Sequence, residues 1–153
     1  KIWRRTYLHP TLSNFDAPNR VTCSADRERT NTPLQALTLM NDPIFLEAGF
    51  GLARRMLERS KSHSIKDAIR FGFCLSTTRN PDQTETDALS GLYEKSLRNF
   101  SKDGDSAYKL LNSVRGELAL GVSPLNASEV ALLAAWFQVA NVLLNLDETI
   151  SKG

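Results

Sequence analysis

The chain has 153 residues, 41% of them apolar and 24% charged, enough for one domain with a real core and too few for two domains of ordinary size. Its longest uninterrupted apolar run, residues 130–137, is far shorter than the roughly 18 residues that mark a membrane span, and 12 aromatic residues spread along the chain exclude low-complexity disorder. Nineteen basic and 17 acidic side chains leave a net charge of +2, too balanced to call for nucleic acid or a membrane as partner.

Residues 1–32 read as an extended, irregular arm. They contain Pro10, Pro18 and many Thr, Ser and Asn residues, with no sustained period of 3.6 or 2. The arm carries six basic residues (Lys1, Arg4, Arg5, Arg20, Arg27, Arg29) against three acidic ones (Asp16, Asp26, Glu28), so it is +3 and the remainder −1. The sequence opens on Lys1, and residues 1–10 lack the apolar stretch of a signal peptide, which reads as a segment of a longer polypeptide. Cys23 and Cys74 stand 51 positions apart, without the spacing of a zinc or haem-attachment motif, and read as two separate thiols, the alternative being a single disulfide in an exported protein.

Helical signals begin at Thr32-Pro33-Leu34-Gln35, where Thr caps, Pro suits the first helical position and Gln completes a capping box. A first helix is expected over residues 33 to about 40. Asp42-Pro43 stops it and caps a second, residues 43 to about 59, whose polar face ends in Arg54, Arg55 and Arg59. Ser64 opens a third helix whose Ile65, Ile69, Gly72 and Phe73 share a face, and Arg79-Asn80-Pro81 breaks it. Asp82 and Glu85 form another capping box before an amphipathic stripe of Leu89, Leu92, Tyr93, Ser96, Leu97 and Phe100. Asp105 is expected to cap a shorter helix reaching Val114, and Gly116, Gly121 and Pro124 mark a long connection. Asn126, boxed by Glu129 and stapled through Leu125 and Val130, opens the last helix. Residues 130–150 are apolar on nearly every side, so this helix is expected to run through the centre. Only Gln138, Asn141, Asn145 and Glu148 interrupt it, as a stripe expected to receive the arm. The fold class is all-α: a bundle of about six helices over residues 33–153, with the arm of residues 1–32 packed on it as part of the same domain.

Catalytic signatures are sparse. His9 and His63 are the only histidines and have no neighbouring carboxylate pattern, so they read as ordinary surface residues. There is no HExxH, GxSxG, Walker or GxGxxG pattern. Asp103 with Asp105, and Asp147 with Glu148, lack the further ligands of a calcium loop and read as capping and solvated residues. No catalytic or metal residue is therefore assigned. Arg54, Arg55 and Arg59 are too few for a DNA-reading helix. The informative cluster is Asp26-Arg27-Glu28-Arg29-Thr30-Asn31-Thr32, which leads into the positive end of a helix dipole. Arginines placed there need carboxylates or a bound anion beside them. Either Asp16, Asp26 and Glu28 pair with Arg20, Arg27 and Arg29 and pin the arm, or an anion or substrate site forms from Asp16, Arg20, Arg27, Arg29, Asn31, Gln35, Asn141 and Asn145.

Three stretches carry a resemblance. Phe15-Asp16-Ala17-Pro18-Asn19-Arg20, then Cys23, then Arg27-Glu28-Arg29-Thr30-Asn31-Thr32-Pro33-Leu34-Gln35-Ala36-Leu37 with Asn41-Asp42-Pro43, together resemble the signature of the planctomycete PSD domain, a family of unknown function. The closing run from Ala134-Ala135-Trp136 to Leu146-Asp147-Glu148 is similar to that family's C-terminal helix. Asn19, commonly acidic in the family, and Ala25-Asp26, commonly followed by paired basic residues, depart from the pattern. The resemblance implies the C-terminal end of a large exported bacterial protein, periplasmic or at the cell surface. It also implies haem c in an upstream cytochrome module and upstream domains of the same polypeptide as partners; no catalytic residues carry over. The expectation is a helical structural or interaction domain. The alternative is part of an extracellular or periplasmic enzyme acting on polysaccharide, with a polar pocket where the arm meets the first helix.

Overall fold

The structure, a computed structural model, describes residues 9–17, 30, 32–115 and 126–150. Every regular element among them is a helix, so the chain is all-α. The arm contains one helical turn that its composition did not announce, α1 (Pro10–Asn14). There His9 Nδ1 accepts from the Thr11 N–H at 3.3 Å and Pro10, with its φ preset, takes the first position. In α2 (Pro33–Asn41) both halves of the capping box form: Thr32 Oγ1 accepts from the Gln35 N–H at 3.2 Å, and Gln35 Oε1 accepts from the Thr32 N–H at 3.0 Å. Asp42 ends α2 and caps α3 (Pro43–Ser62) through the Ile44 N–H at 3.0 Å. That helix runs past Arg59 because Arg59 and Lys61 suit its carbonyl end.

Ser64 caps α4 (Ile65–Thr77), accepting from the Asp67 N–H at 3.1 Å. Asp82 and Glu85 box the start of α5 (Gln83–Lys102) with bonds of 2.7 and 2.8 Å. At α6 (Gly104–Arg115) the cap is Asp103, where Asp105 was expected. Its carboxylate accepts from the Ser106 N–H at 3.1 Å and the Ser106 hydroxyl at 2.5 Å, which starts the helix two residues earlier.

The last helix is shorter than its apolar pattern predicts: α7 (Ala127–Leu144) stops before a separate turn, α8 (Asp147–Ile150). The stop is made by Asn145, whose Nδ2 donates to the Asn141 carbonyl at 2.8 Å while its own N–H bonds the same oxygen at 3.2 Å. An amide side chain here competes with the backbone for the helix's last acceptors. At the other end Asn126 makes no side-chain cap bond. Glu129, the other member of the expected box, has its carboxylate on Lys61 Nζ at 2.9 Å. Leu125, the other half of the expected staple, lies outside the described residues.

As expected, α7 is the central element, packed against α3, α5 and α6. Leu133, Ala134, Ala135, Trp136, Phe137, Val139, Ala140 and Leu143 are all buried on it. Burial on successive residues means neighbours surround the helix, and the alanines let those neighbours come close. α3 runs antiparallel to α7: Lys61 Nζ meets Glu129 at 2.9 Å near one end, and Gly49 lies under Phe137 and Leu144 near the other. α4 presses equally hard on α3, since a Cβ at Gly72 would come within 2.6 Å of Met56 Sδ.

One polar fastener ties the outer turns together. Thr78 ends α4 in the left-handed region, at φ 67°, and Arg79 follows, its guanidinium 4.8 Å above the centre of the Phe73 ring. That guanidinium forks onto Glu85 (2.6 and 2.9 Å) and Glu148 (2.7 and 2.8 Å), joining the start of α5 to α8. Arg79 holds the Glu85 carboxyl down to about 2 from its usual 4.5, and Glu148 is lowered by the same partner. Carboxylates whose proton affinity falls on folding stabilise the native state above their ordinary range and lose that contribution as the pH drops. The melting temperature of Arg79→Gln is therefore expected to lie about 2 °C below wild type at neutral pH. The gap should close between pH 4.5 and 2; melting curves across that range check it, and a constant gap would contradict the ion-pair account.

Candidate functional site

The junction between arm and bundle is built outward from Gln35. Position N3 of α2 aims its side chain back past the helix start, and the capping box uses only the amide oxygen. The amide nitrogen is then directed at the arm. It donates to the Asn14 carbonyl at 2.7 Å and to Thr30 Oγ1 at 3.1 Å, with Asp16 Oδ2 at 3.4 Å. Gln35 is only 1% exposed, and a buried amide requires partners of this kind.

Asp16 turns the chain in the left-handed region, at φ 54°, a conformation that Asp tolerates better than most side chains. Its Oδ2 accepts from the Thr30 N–H at 2.8 Å and the Thr30 hydroxyl at 2.7 Å. Around this centre Asn14 Nδ2 donates to Thr38 Oγ1 at 3.3 Å, and the rings of Phe15 and Phe45 meet at 5.6 Å. The two sides of the arm are thereby drawn onto α2 and the start of α3. Every donor and acceptor named here joins one part of the chain to another.

Of the eight residues expected to form an anion or substrate site, the structure joins Asp16 to Gln35. Asn141 and Asn145 form a second pair, 3.4 Å apart between Nδ2 and Oδ1, on the last turn of α7 rather than on the arm or α2. Arg20, Arg27, Arg29 and Asn31 lie outside the described residues, as does Cys23. Of the stripe expected to receive the arm, Asn145 bonds back into its own helix and Glu148 takes Arg79. Thr30 and Asn14 are the functional partners that sequence reading overlooked. Thr30 lies inside the Arg29-Thr30-Asn31-Thr32 signature, but it has no capping-box partner of the kind that marks Thr32, and nothing else in its local pattern marks it.

The remaining reactive groups are scattered. Cys74 is a free thiol whose Sγ lies 3.2 Å from Asn80 Oδ1. Among the described residues no group of three or more His, Cys, Asp or Glu side chains could hold a metal ion, and no helix is long and apolar enough to cross a membrane. Asp103 is engaged in capping.

A family model described as "PSD1: Protein of unknown function (DUF1553)" matches residues 1–93, from the arm into α5. Residues 134–148, where the closing resemblance was seen, lie beyond the matched span. No curated protein and no solved structure matches. The match covers more than half of the chain and contains the whole Asp16–Gln35 junction, and the chain accordingly belongs to the PSD1 family of proteins of unknown function.

Proposed function

We propose that this chain is a helical structural and interaction domain in which the Asp16–Thr30–Gln35 junction is a clasp rather than a pocket. The observation that carries the reading is Gln35: a nearly inaccessible amide with its oxygen bonded to Thr32 and its nitrogen to Asn14 and Thr30. A substrate site needs polar groups turned toward a ligand, whereas these are turned toward the chain itself. The domain's place in a large exported protein, with haem c in an upstream module and the upstream domains of the same polypeptide as partners, is part of this proposal. It is supported by the resemblance of the Phe15–Arg20 and Arg27–Leu37 signatures. A signal peptide and a CxxCH motif upstream of Lys1 are its observable consequences.

The clasp is tested by melting Gln35→Ala and Thr30→Val with and without sulfate and a chitooligosaccharide. Gln35→Ala strands buried partners and is expected to cost about 1–3 kcal/mol; Thr30→Val, at an exposed position, should cost less and fold readily. For a clasp, either ligand shifts wild type and variants alike. Stabilisation of the wild type that rises with ligand concentration and disappears in Thr30→Val would be linkage to a bound ligand, and would replace the clasp with an anion site if sulfate causes it or with the polysaccharide-enzyme reading if the oligosaccharide does.

A further inference from the structure

Dividing the charge by element shows a polarity that the whole-chain value conceals. Residues 43–77, which hold α3 and α4, carry six basic and three acidic side chains, whereas residues 78–153 carry seven basic and ten acidic ones. The basic half also has an unfilled outer face. On α3, Ile44, Ala48, Gly51 and Arg55 follow at helical spacing and are all exposed; Ile44 is 55% exposed. A Cβ at Gly51 would meet nothing within 4 Å, so the row is open where it is lowest.

α4 lies antiparallel alongside. Arg59 meets Asp67 at 3.5 Å, and Arg55 and Arg59 stand 5.4 and 5.8 Å from the centre of the Phe71 ring. Continuing that register by one turn sets Gly51 level with Leu75, a leucine 41% exposed. The result is a shallow strip of Ile44, Ala48, Gly51, Leu75 and Phe71 that ends at two guanidiniums gathered over one aromatic ring. Arg59 has Asp67 as counter-ion; Arg55 has no carboxylate within 4.0 Å among the described residues.

We propose that this α3–α4 face is a docking surface for an acidic amphipathic segment of a partner protein: a helix whose apolar side lies along the strip and whose carboxylates reach Arg55 and Arg59. The inference rests on reading the chain as an interaction domain and names where the interaction occurs. A helix laid in a groove is a recurring recognition mode, and arginine beside an aromatic ring is a frequent energetic centre of interfaces. Charge selects the occupant. A second copy laid antiparallel would offer Glu47 as the one carboxylate on the residue 43–53 stretch of α3, whereas an acidic segment brings several carboxylates to these two arginines and gains in encounter rate.

The test uses a dye-labelled peptide of about 20 residues, leucine on one helical face and glutamates in the last turn, beside a twin with lysines in their place. Fluorescence anisotropy with the full chain is expected to show the glutamate peptide binding about tenfold more tightly than its twin, and several-fold more weakly at high salt. Arg55→Glu should reverse the preference. Gly51→Leu should fill the strip and abolish binding while keeping wild-type helicity and melting, because its side chain enters open space. Equal binding of the two peptides, no binding by either, unaltered binding by Gly51→Leu, or light scattering that shows the free chain already paired through this face would each overturn the proposal. Gly51 and Arg55 lie outside the clasp, so failure here leaves the Gln35 and Thr30 melting results standing, and failure of those leaves this assay readable.

Discussion

Trp136→Ala is expected to destabilise the domain by about 3–5 kcal/mol, lowering its melting temperature by about 10 °C. Trp136 is fully buried on the central helix α7 and its ring lies 4.2 Å from that of Tyr93 on α5, tilted by 33°. Removing it opens a void where α5 and α7 meet, and α7 is held from several sides at once, which limits how far the gap can close. Trp136→Phe should behave differently. The indole Nε1 is buried without a hydrogen-bond partner among the described residues, and an unmet N–H in the interior costs about 1–3 kcal/mol. Phenylalanine loses volume but also removes that cost, so a loss below about 1.5 kcal/mol is expected. Urea unfolding of the two variants compares them directly. A phenylalanine variant as unstable as the alanine one would mean that the indole N–H is bonded in solution.

The elements that were legible in the sequence are those fixed by a few neighbouring residues. Thr32 with Gln35 and Asp82 with Glu85 are four-residue patterns whose two bonds close locally, and both closed as read. The central place of α7 followed from apolar residues on all its sides, which only a surrounded helix can bury. What escaped was decided by competition or by distance. Asp103 and Asp105 flank the same glycine and offer the same carboxylate, and only the carboxylate that reached Ser106 became the cap. Leu146 and Ile150 continue the apolar spacing of α7 past residue 145, so its end at Asn145 depends on a side chain bonding the helix's own carbonyl, which periodicity does not register. Gln35 was identified as a box member, but its second role, binding Asn14 across 21 positions, belongs to the tertiary fold. The same holds for Arg79 and Glu148, which meet across 69 positions.

Phe73 connects the core to that fastener, and Phe73→Ala carries the other large expected loss, about 3–5 kcal/mol. The ring is 1% exposed and belongs to the cluster that includes Met56, Ile69 and Trp136, while its outer face supports the Arg79 guanidinium. Two contributions are therefore lost together, and Phe73→Leu separates them. Leucine fills most of the space, so its loss should be about 1.5 kcal/mol or less, but it offers no π face to the cation. If the ring positions Arg79 for its fork onto Glu85 and Glu148, Arg79→Gln will lower the melting temperature less in Phe73→Leu than in wild type. The acid-dependent part of the Arg79 effect will shrink in the same background, since it arises from the carboxylates that Arg79 holds down. Strictly additive shifts across the four proteins, with the acid response unchanged, would instead show that the ring serves the core alone and that the fork is held by its carboxylates without help from below.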